Sequence, residues 1–67
     1  MSEITPEERK LLQQLGAAVT RSQEREQDLR RYYDAAQKIY DKHPDDPEAQ
    51  LFFNQADALY KHGQSGG

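Results

Sequence analysis

The sequence predicts an all-α fold, a three-helix up-down-up bundle, and three observations indicate it. Strong helix formers dominate from Thr5 onward, and β-branched residues are few. Apolar residues recur at spacings of three and four in three separate segments. Signals that start and end helices lie between two of those segments. We therefore predict helices over about residues 6–19, 23–42 and 47–62, in one domain of residues 1–63 with a flexible tail at 64–67.

The first predicted helix has a well-defined start. The Thr5 hydroxyl can accept a bond from an amide that lacks a partner in the helix, and Glu8 can complete a capping box with it. Pro6 suits the first helical position, where no amide donor is needed. Gly16 weakens the helix but would let another helix approach closely. The apolar stripe consists of Leu11, Leu12, Leu15, Ala18 and Val19.

The second predicted helix ends at a proline. His43 precedes Pro44, and the residue before a proline is disfavoured in the α conformation. The apolar stripe of this helix comprises Leu29, Tyr32, Tyr33, Ala36, Ile39 and Tyr40.

The third predicted helix restarts at once. Asp46 is the expected N-cap, with Pro47 at the first helical position and Glu48 in the first turn. Lys61 to Gly63 form a favourable C-terminal end. The apolar positions are Ala49, Phe52, Phe53, Ala56, Leu59 and Tyr60.

The stretch from Thr20 to Asp28 leaves two architectures open, because it contains neither proline nor glycine and no large apolar residue. In the favoured one, Thr20 or Ser22 caps a new helix and the first helix folds back on the others. In the alternative, residues 6–42 form one long helix of about 55 Å. That long-helix hairpin would leave the first leucines uncovered unless a second copy or another protein packed on them, so it would dimerise.

The predicted core joins all three stripes. Because adjacent residues on a helix lie about 100° apart, one member of each aromatic pair, Tyr32/Tyr33 and Phe52/Phe53, is expected to be exposed. The residues expected to form the core are Leu12, Leu15, Val19, Leu29, Tyr33, Ala36, Ile39, Phe52, Ala56 and Leu59.

Composition excludes several classes of function. The 67 residues carry a net charge of -3 and no cysteine, which removes thiol chemistry and zinc-thiolate sites. No apolar run approaches the roughly 18 residues of a membrane span, and no secretory signal pattern is present. We therefore expect a soluble, cytoplasmic protein, or a recombinant one without a natural compartment. An acidic balance also argues against binding to a phosphate backbone.

Residues that could carry chemistry have simpler explanations. A metal site would need His43 and His62 to meet Asp41, Asp45 or Asp46, and no ligand-spacing motif indicates that they do. We expect no metal and no cofactor.

Adjacent carboxylates at helix starts are explained by capping and by the helix dipole, and nothing predicts a cleft that would shift their pKa values. We therefore expect no catalytic residue and no enzymatic activity. The carboxylate pairs are Glu7/Glu8, Glu24/Glu26 and Asp45/Asp46.

One basic cluster lies in the middle of the chain. Tyr32 and Tyr33 stand beside it and could stack on single-stranded nucleic acid. Acidic residues interrupt the cluster, so a solvated face of ion pairs is favoured and no nucleic-acid partner is expected. The cluster consists of Arg21, Arg25, Arg30 and Arg31.

Three resemblances follow from these features. The tidy caps, proline after Asp46, and the Gly-Ser-Gly tail resemble a de novo designed helical bundle built from native-like helices. Leu15-Gly16, Pro44 and the Asp-Asp-Pro-Glu-Ala run resemble the tetratricopeptide repeat, which implies antiparallel helix pairs and a peptide-binding concave face. Here the Leu-Gly pair and the proline are one turn further apart than in that family. The Pro-Asp-Asp-Pro turn is also similar to that of type III secretion needle subunits.

Two classes of function remain. The favoured one is a monomeric, stable designed or structural bundle that needs no partner and has no catalytic function. The alternative is a protein-protein interaction module, either a tetratricopeptide-like fragment or a helical-hairpin adaptor or co-chaperone. Its partner would be a second copy or another helical protein, and no membrane is involved.

Overall fold

The computed structural model describes residues 3–21 and 23–65, with side chains as far as Lys61. It contains three helices: α1 (Pro6–Arg21), α2 (Arg25–Lys42) and α3 (Pro47–Ser65). The predicted all-α three-helix bundle is confirmed. Since the chain leaves the helical conformation between α1 and α2, the alternative of one continuous helix over residues 6–42 is wrong.

The start of α1 follows the predicted capping box. The Glu8 amide donates to the Thr5 hydroxyl at 3.1 Å, and the Thr5 amide donates to Glu8 Oε1 at 2.9 Å. These two bonds satisfy amides that a helix start leaves without partners inside the helix. The first turn is therefore fixed by residues three apart in sequence.

The break between α1 and α2 differs from the prediction. Thr20 lies inside α1, and its hydroxyl donates to the Ala17 carbonyl at 2.8 Å instead of capping a new helix. Ser22 lies outside the described residues. The N-cap position of α2 is held by Glu24, whose side chain makes no capping hydrogen bond. Within the described residues, α2 therefore starts without a side-chain cap at its N-cap position.

The turn between α2 and α3 forms as predicted. The His43 amide donates to the Ile39 and Tyr40 carbonyls, which closes α2 just before Pro44. Asp46 then caps α3, because its Oδ1 accepts the Glu48 amide at 2.9 Å. α3 continues to Ser65, three residues beyond the predicted end at about residue 62, and so includes the first two residues of the predicted tail.

Helix α2 is the centre of the bundle. Both α1 and α3 pack against it, whereas α1 and α3 have few direct contacts with each other. Leu12 and Val19 are the largest fully buried side chains. The buried core consists of Ile4, Leu12, Val19, Leu29, Tyr32, Ala36, Ile39, Ala49 and Ala56. Four residues expected in the core, Leu15, Tyr33, Phe52 and Leu59, are only half-buried around it.

The adjacent aromatic residues are not divided into one buried and one exposed member. Tyr32 is buried, and its ring lies against α1 at Gly16, where an added Cβ would sit 3.4 Å from Tyr32 Cζ. The predicted close approach at Gly16 is therefore made by this ring. Tyr33 is half-buried against α3, and Phe52 and Phe53 are both half-buried. The angle of about 100° between adjacent helical residues does not leave one tyrosine exposed here, because α2 is covered by α1 on one side and by α3 on the other.

None of the helices described is long and apolar enough to cross a membrane. Two large apolar side chains are nevertheless exposed, Leu11 at 45% and Leu51 at 68%. They lie on the two outer helices, α1 and α3.

Candidate functional site

The N-terminal ends of α1 and α3 meet at the end of α2, and Asp46 lies at the centre of this junction. Its carboxylate is buried, and Oδ2 accepts the Ile4 amide at 2.7 Å. Oδ1 of the same carboxylate caps α3. The bonds from the Ile4 and Glu48 amides lower the pKa of Asp46 below its ordinary value. One side chain thus caps a helix and anchors the segment that precedes α1.

Glu8 joins α1 to the end of α2. Its Oε1 lies 3.0 Å from His43 Nε2, and both side chains are largely buried. The hydrogen bond from the Thr5 amide is the main cause of the lowered pKa of Glu8, and the electrostatic interaction with His43 lowers this pKa further. His43 Nδ1 is buried and has no hydrogen-bond partner within the described part of the chain.

Arg9 joins α1 directly to α3. Its Nε donates to Glu48 Oε2 at 2.6 Å and its second terminal nitrogen donates to Oε1 at 2.7 Å, a bidentate geometry. Both residues lie in the first turns of their helices. Because the two starts are held side by side, α1 and α3 run in the same direction, antiparallel to α2.

The role of Asp46 can be tested against its neighbour. Asp46→Ala removes the anchor of Ile4 and the cap of α3, whereas Asp45→Ala removes the same formal charge from an exposed side chain. We expect a clear fall in Tm at neutral pH for the first variant and little change for the second, measured by circular dichroism.

The difference between these two variants should depend on pH. A carboxylate whose folded pKa is depressed stabilises the fold above its unfolded pKa of about 3.9, and this contribution is lost as the pH falls through the folded pKa. The Tm difference should therefore shrink between about pH 5 and about pH 2. A difference that persists unchanged in acid would contradict this role of the carboxylate.

The candidate metal and acid-base residues are not brought together. His43 contacts the Glu8 carboxylate, and of the three candidate aspartates Asp46 lies near it, since its amide donates to the His43 carbonyl. The side chain of His62 lies outside the described residues. Among the described residues, no group of three or more His, Asp or Glu is arranged to hold a metal ion. Glu7 and Asp45 are exposed at helix starts, and Glu24 and Glu26 are exposed at the start of α2.

The basic cluster lies around the turn between α1 and α2 and along α2. Its four arginines, Arg21, Arg25, Arg30 and Arg31, are all exposed. The two tyrosines beside them are not available as stacking platforms in this arrangement. Tyr32 is buried under α1, and the ring of Tyr33 packs on Phe53 and Tyr60.

A different feature distinguishes the two outer helices, namely the absence of charge along their middle. Residues 11–20 of α1 contain no charged side chain, and neither do residues 49–56 of α3. By contrast, nine of the 18 residues of α2 are charged. Each outer helix therefore exposes an uncharged segment in its middle.

The exposed side chains of these two segments, together called the uncharged face, lie beyond the Arg9–Glu48 pair that joins the starts of α1 and α3. Successive turns beyond that pair present side chains at spacings of three and four on each helix. All of them are exposed. The uncharged face consists of Gln13, Ala17 and Thr20 on α1 and Leu51, Gln55 and Ala58 on α3.

The surface of α1 also has a shallow depression, which shares Ala17 with this face. It has a volume of about 450 Å³ and is lined by Gln14, Ala17, Ala18 and Arg21. Two alanines form its floor, so another backbone could approach α1 closely here. The two uncharged runs are visible in the sequence, and the structure adds that their outward side chains are exposed.

A second cleft, of about 420 Å³, lies between α2 and α3 and has a different character. Its carboxylates are already paired along their own helices, Asp34 with Lys38 and Asp57 with Lys61. Its floor is formed by Tyr33 and Tyr60, which pack edge to face. This cleft is the charged rim of a helix-helix contact.

Comparison of this chain with protein-family models, with curated proteins and with solved structures found no match.

Proposed function

We propose that this chain is a non-catalytic interaction module that binds another protein through the uncharged face. The observation that carries the proposal is the segregation of charge. The exposed middles of α1 and α3 are free of charged residues, while half of α2 is charged. Depletion of charge at the centre of a surface is a compositional mark of protein-protein interfaces.

The exposed apolar side chain at the centre of this face supports the proposal. Leu51 is 68% exposed, a large value for a leucine in the middle of a helix. The exposed amide side chains of Asn54 and Gln55 lie one turn further along α3, and amides both donate and accept hydrogen bonds without the desolvation cost of a charge. Such a surface is hydrated in the free chain and can be buried when a partner binds.

The titratable groups of the junction support a structural role for that region. Glu8, Arg9, Asp46 and Glu48 each use their side chains to hold two parts of the chain together. A general acid or base would need a carboxylate that faces a substrate, and these carboxylates face backbone amides or other side chains.

A second candidate is a bundle of designed type whose stable fold is its whole role. The regular helix starts favour it, since Thr5 with Glu8 and Asp46 with Pro47 follow the same capping rules that designers use. In this candidate the uncharged face has no partner. The monomeric state and the cytoplasmic location also stay predictions from the sequence.

The proposal can be tested with peptides selected for binding to the folded chain from a displayed random library. We expect most selected peptides to lose at least about ten-fold in affinity for a Leu51→Lys variant, since it puts a charge at the centre of the face. Gln37→Lys, which adds the same charge at an exposed position of α2, is the matched control and should bind normally.

Both variants should keep the Tm of the parent chain, because each changes an exposed helical position to a good helix former. Selected peptides that bind equally well to the parent chain and to Leu51→Lys would overturn the proposal and favour the purely structural role.

A further inference from the structure

We infer that residues 3–5 form a proton-sensitive strap, which two carboxylates hold against the end of the bundle at neutral pH and release in acid before the helices unfold. The strap precedes α1, and two consecutive amides of its backbone bind two different side chains. Ile4 donates to Asp46 Oδ2 at 2.7 Å, and Thr5 donates to Glu8 Oε1 at 2.9 Å. The strap lies at the junction and is separate from the uncharged face.

The strap covers part of the core with one side chain. Ile4 is 4% exposed and belongs to the same buried cluster as Ile39 and Ala49, whereas Glu3 and Thr5 on either side of it are exposed. The three residues of the strap are not helical. A short segment with one buried side chain has few contacts to lose, so it can open locally while the rest of the chain stays folded. Its release uncovers apolar surface that the fold otherwise buries.

Each of the two carboxylates holds the strap and a second group at the same time. Asp46 accepts the Ile4 amide at one oxygen and the Glu48 amide at the other. Glu8 Oε1 accepts the Thr5 amide and also lies 3.0 Å from His43 Nε2. An ionised carboxylate accepts at both oxygens, but protonation turns one oxygen into a hydroxyl and weakens the bonds that the group accepts. Acid therefore acts directly on the contacts that hold the strap.

The charged groups around these carboxylates come from all three helices and from the strap. His43 at the end of α2 attracts both of them. Arg9 of α1 attracts Asp46, but it is already paired with Glu48 of α3 and also interacts with Glu3 of the strap. Because an imidazole ring gains a positive charge in acid, its attraction remains until the carboxylates themselves are protonated. Release is therefore set by the carboxylates.

The bonds to the strap lower the pKa values of both carboxylates. The Ile4 amide is the largest cause for Asp46, and the Thr5 amide is the largest cause for Glu8. A carboxylate of lowered pKa stabilises the bound strap above its ordinary pKa of about 4, and this stabilisation is lost as the pH falls through the lower value. We expect release between about pH 5 and about pH 2, more steeply than a one-proton titration because two carboxylates take part.

The remainder of α1 is held to the bundle by contacts beyond the strap. Arg9 and Glu48 form their bidentate pair after the strap has ended. Leu12 and Val19, the largest fully buried side chains, anchor the middle and the far end of the helix. α1 should therefore stay packed on α2 when the strap leaves.

The test follows methyl signals by nuclear magnetic resonance during an acid titration of the full chain. The sequence contains only two isoleucines and one valine, so selective labelling of these residue types reports on Ile4 in the strap and on Ile39 and Val19 in the core. We expect the Ile4 signal to move to the position of an unstructured chain between about pH 5 and about pH 2, while the two core residues keep folded positions.

Asp46→Asn tests the main anchor at neutral pH. Asparagine is as good an N-cap as aspartate, but it has a single accepting oxygen. That oxygen should cap α3, since the cap joins residues two apart and the bond to Ile4 joins residues 42 apart. We expect the Ile4 signal to lie at the released position already at pH 7, with Val19 unchanged. Asp45→Asn removes the same charge from the exposed neighbour and should behave like the parent chain.

Glu8→Gln tests the second anchor. Glutamine can still complete the capping box with Thr5, but it does not titrate, so the Ile4 transition should become as shallow as that of one proton. The inference is overturned if Ile4 and Val19 change in a single step on acidification, because the strap would then have no separate release. It is also overturned if Asp46→Asn leaves the position and the pH response of the Ile4 signal unchanged.

Discussion

Leu12→Ala is expected to lower the free energy of unfolding by about 2 to 5 kcal/mol, the usual cost of removing a fully buried leucine. Leu12 is 0% exposed and lies on the side of α1 that packs into the core. Small domains bury a limited share of their surface, so this cost is a large part of their total stability. The variant should therefore be largely unfolded well below the Tm of the parent chain.

The adjacent leucine is the matched control for this experiment. Leu11 is 45% exposed, so Leu11→Ala removes less buried apolar surface and leaves no enclosed cavity. We expect it to cost less than about 1 kcal/mol. Urea unfolding followed by circular dichroism gives both values, and a repeat at several protein concentrations shows whether association contributes. Equal losses for the two leucines would contradict the packing of α1 described here.

Leu15, which the sequence predicts in the core, is a less sensitive test position than Leu12. Leu15 is only half-buried, at the margin of the contact between α1 and the core, so its truncation should cost less than that of Leu12. A stripe of leucines indicates which side of a helix is buried. It does not show which leucine lies at the centre, because that depends on where the neighbouring helix crosses.

Features that depend on residues close in sequence could be predicted. The capping box of Thr5 and Glu8 and the cap formed by Asp46 each join residues two or three apart. The end of α2 before Pro44 follows from the conformational restriction at His43. Local steric and hydrogen-bonding rules are sufficient in these cases, since no other part of the chain is required.

Features that depend on the arrangement of helices could not be predicted. Ile4 and Asp46 are 42 residues apart, and Glu8 and His43 are 35 apart, so nothing in their local surroundings pairs them. Tyr32 is buried although Tyr33 was expected in the core, because α2 is covered by α1 on one side and by α3 on the other. The junction around Asp46 belongs to this group, since it requires the starts of α1 and α3 to meet at the end of α2.

Phe53→Ala is expected to cost about 2 to 4 kcal/mol, because Phe53 is the centre of the aromatic contact between α2 and α3. Its ring stacks on Tyr40, with centroids 5.3 Å apart and planes 11° apart. It also contacts Tyr33 at 5.6 Å, and Tyr33 in turn packs on Tyr60 at 4.8 Å. Truncation removes both direct ring contacts and opens the space between the two tyrosines.

Comparison with the neighbouring residue, Phe52, separates the stabilisation due to ring contacts from that due to burial. Phe52 is also half-buried against the core, but it makes no aromatic ring contact within the described part of the chain. Aromatic pairs contribute roughly 0.5 to 1.5 kcal/mol each beyond the area they bury, so Phe53→Ala should cost more than Phe52→Ala by about 1 kcal/mol or more. Urea unfolding measures this difference, and the near-ultraviolet circular dichroism of the tyrosines should change only for Phe53→Ala. If Phe52→Ala and Phe53→Ala lower the free energy of unfolding equally, burial alone explains the stability of the α2–α3 contact, and the contacts between the rings contribute little to it.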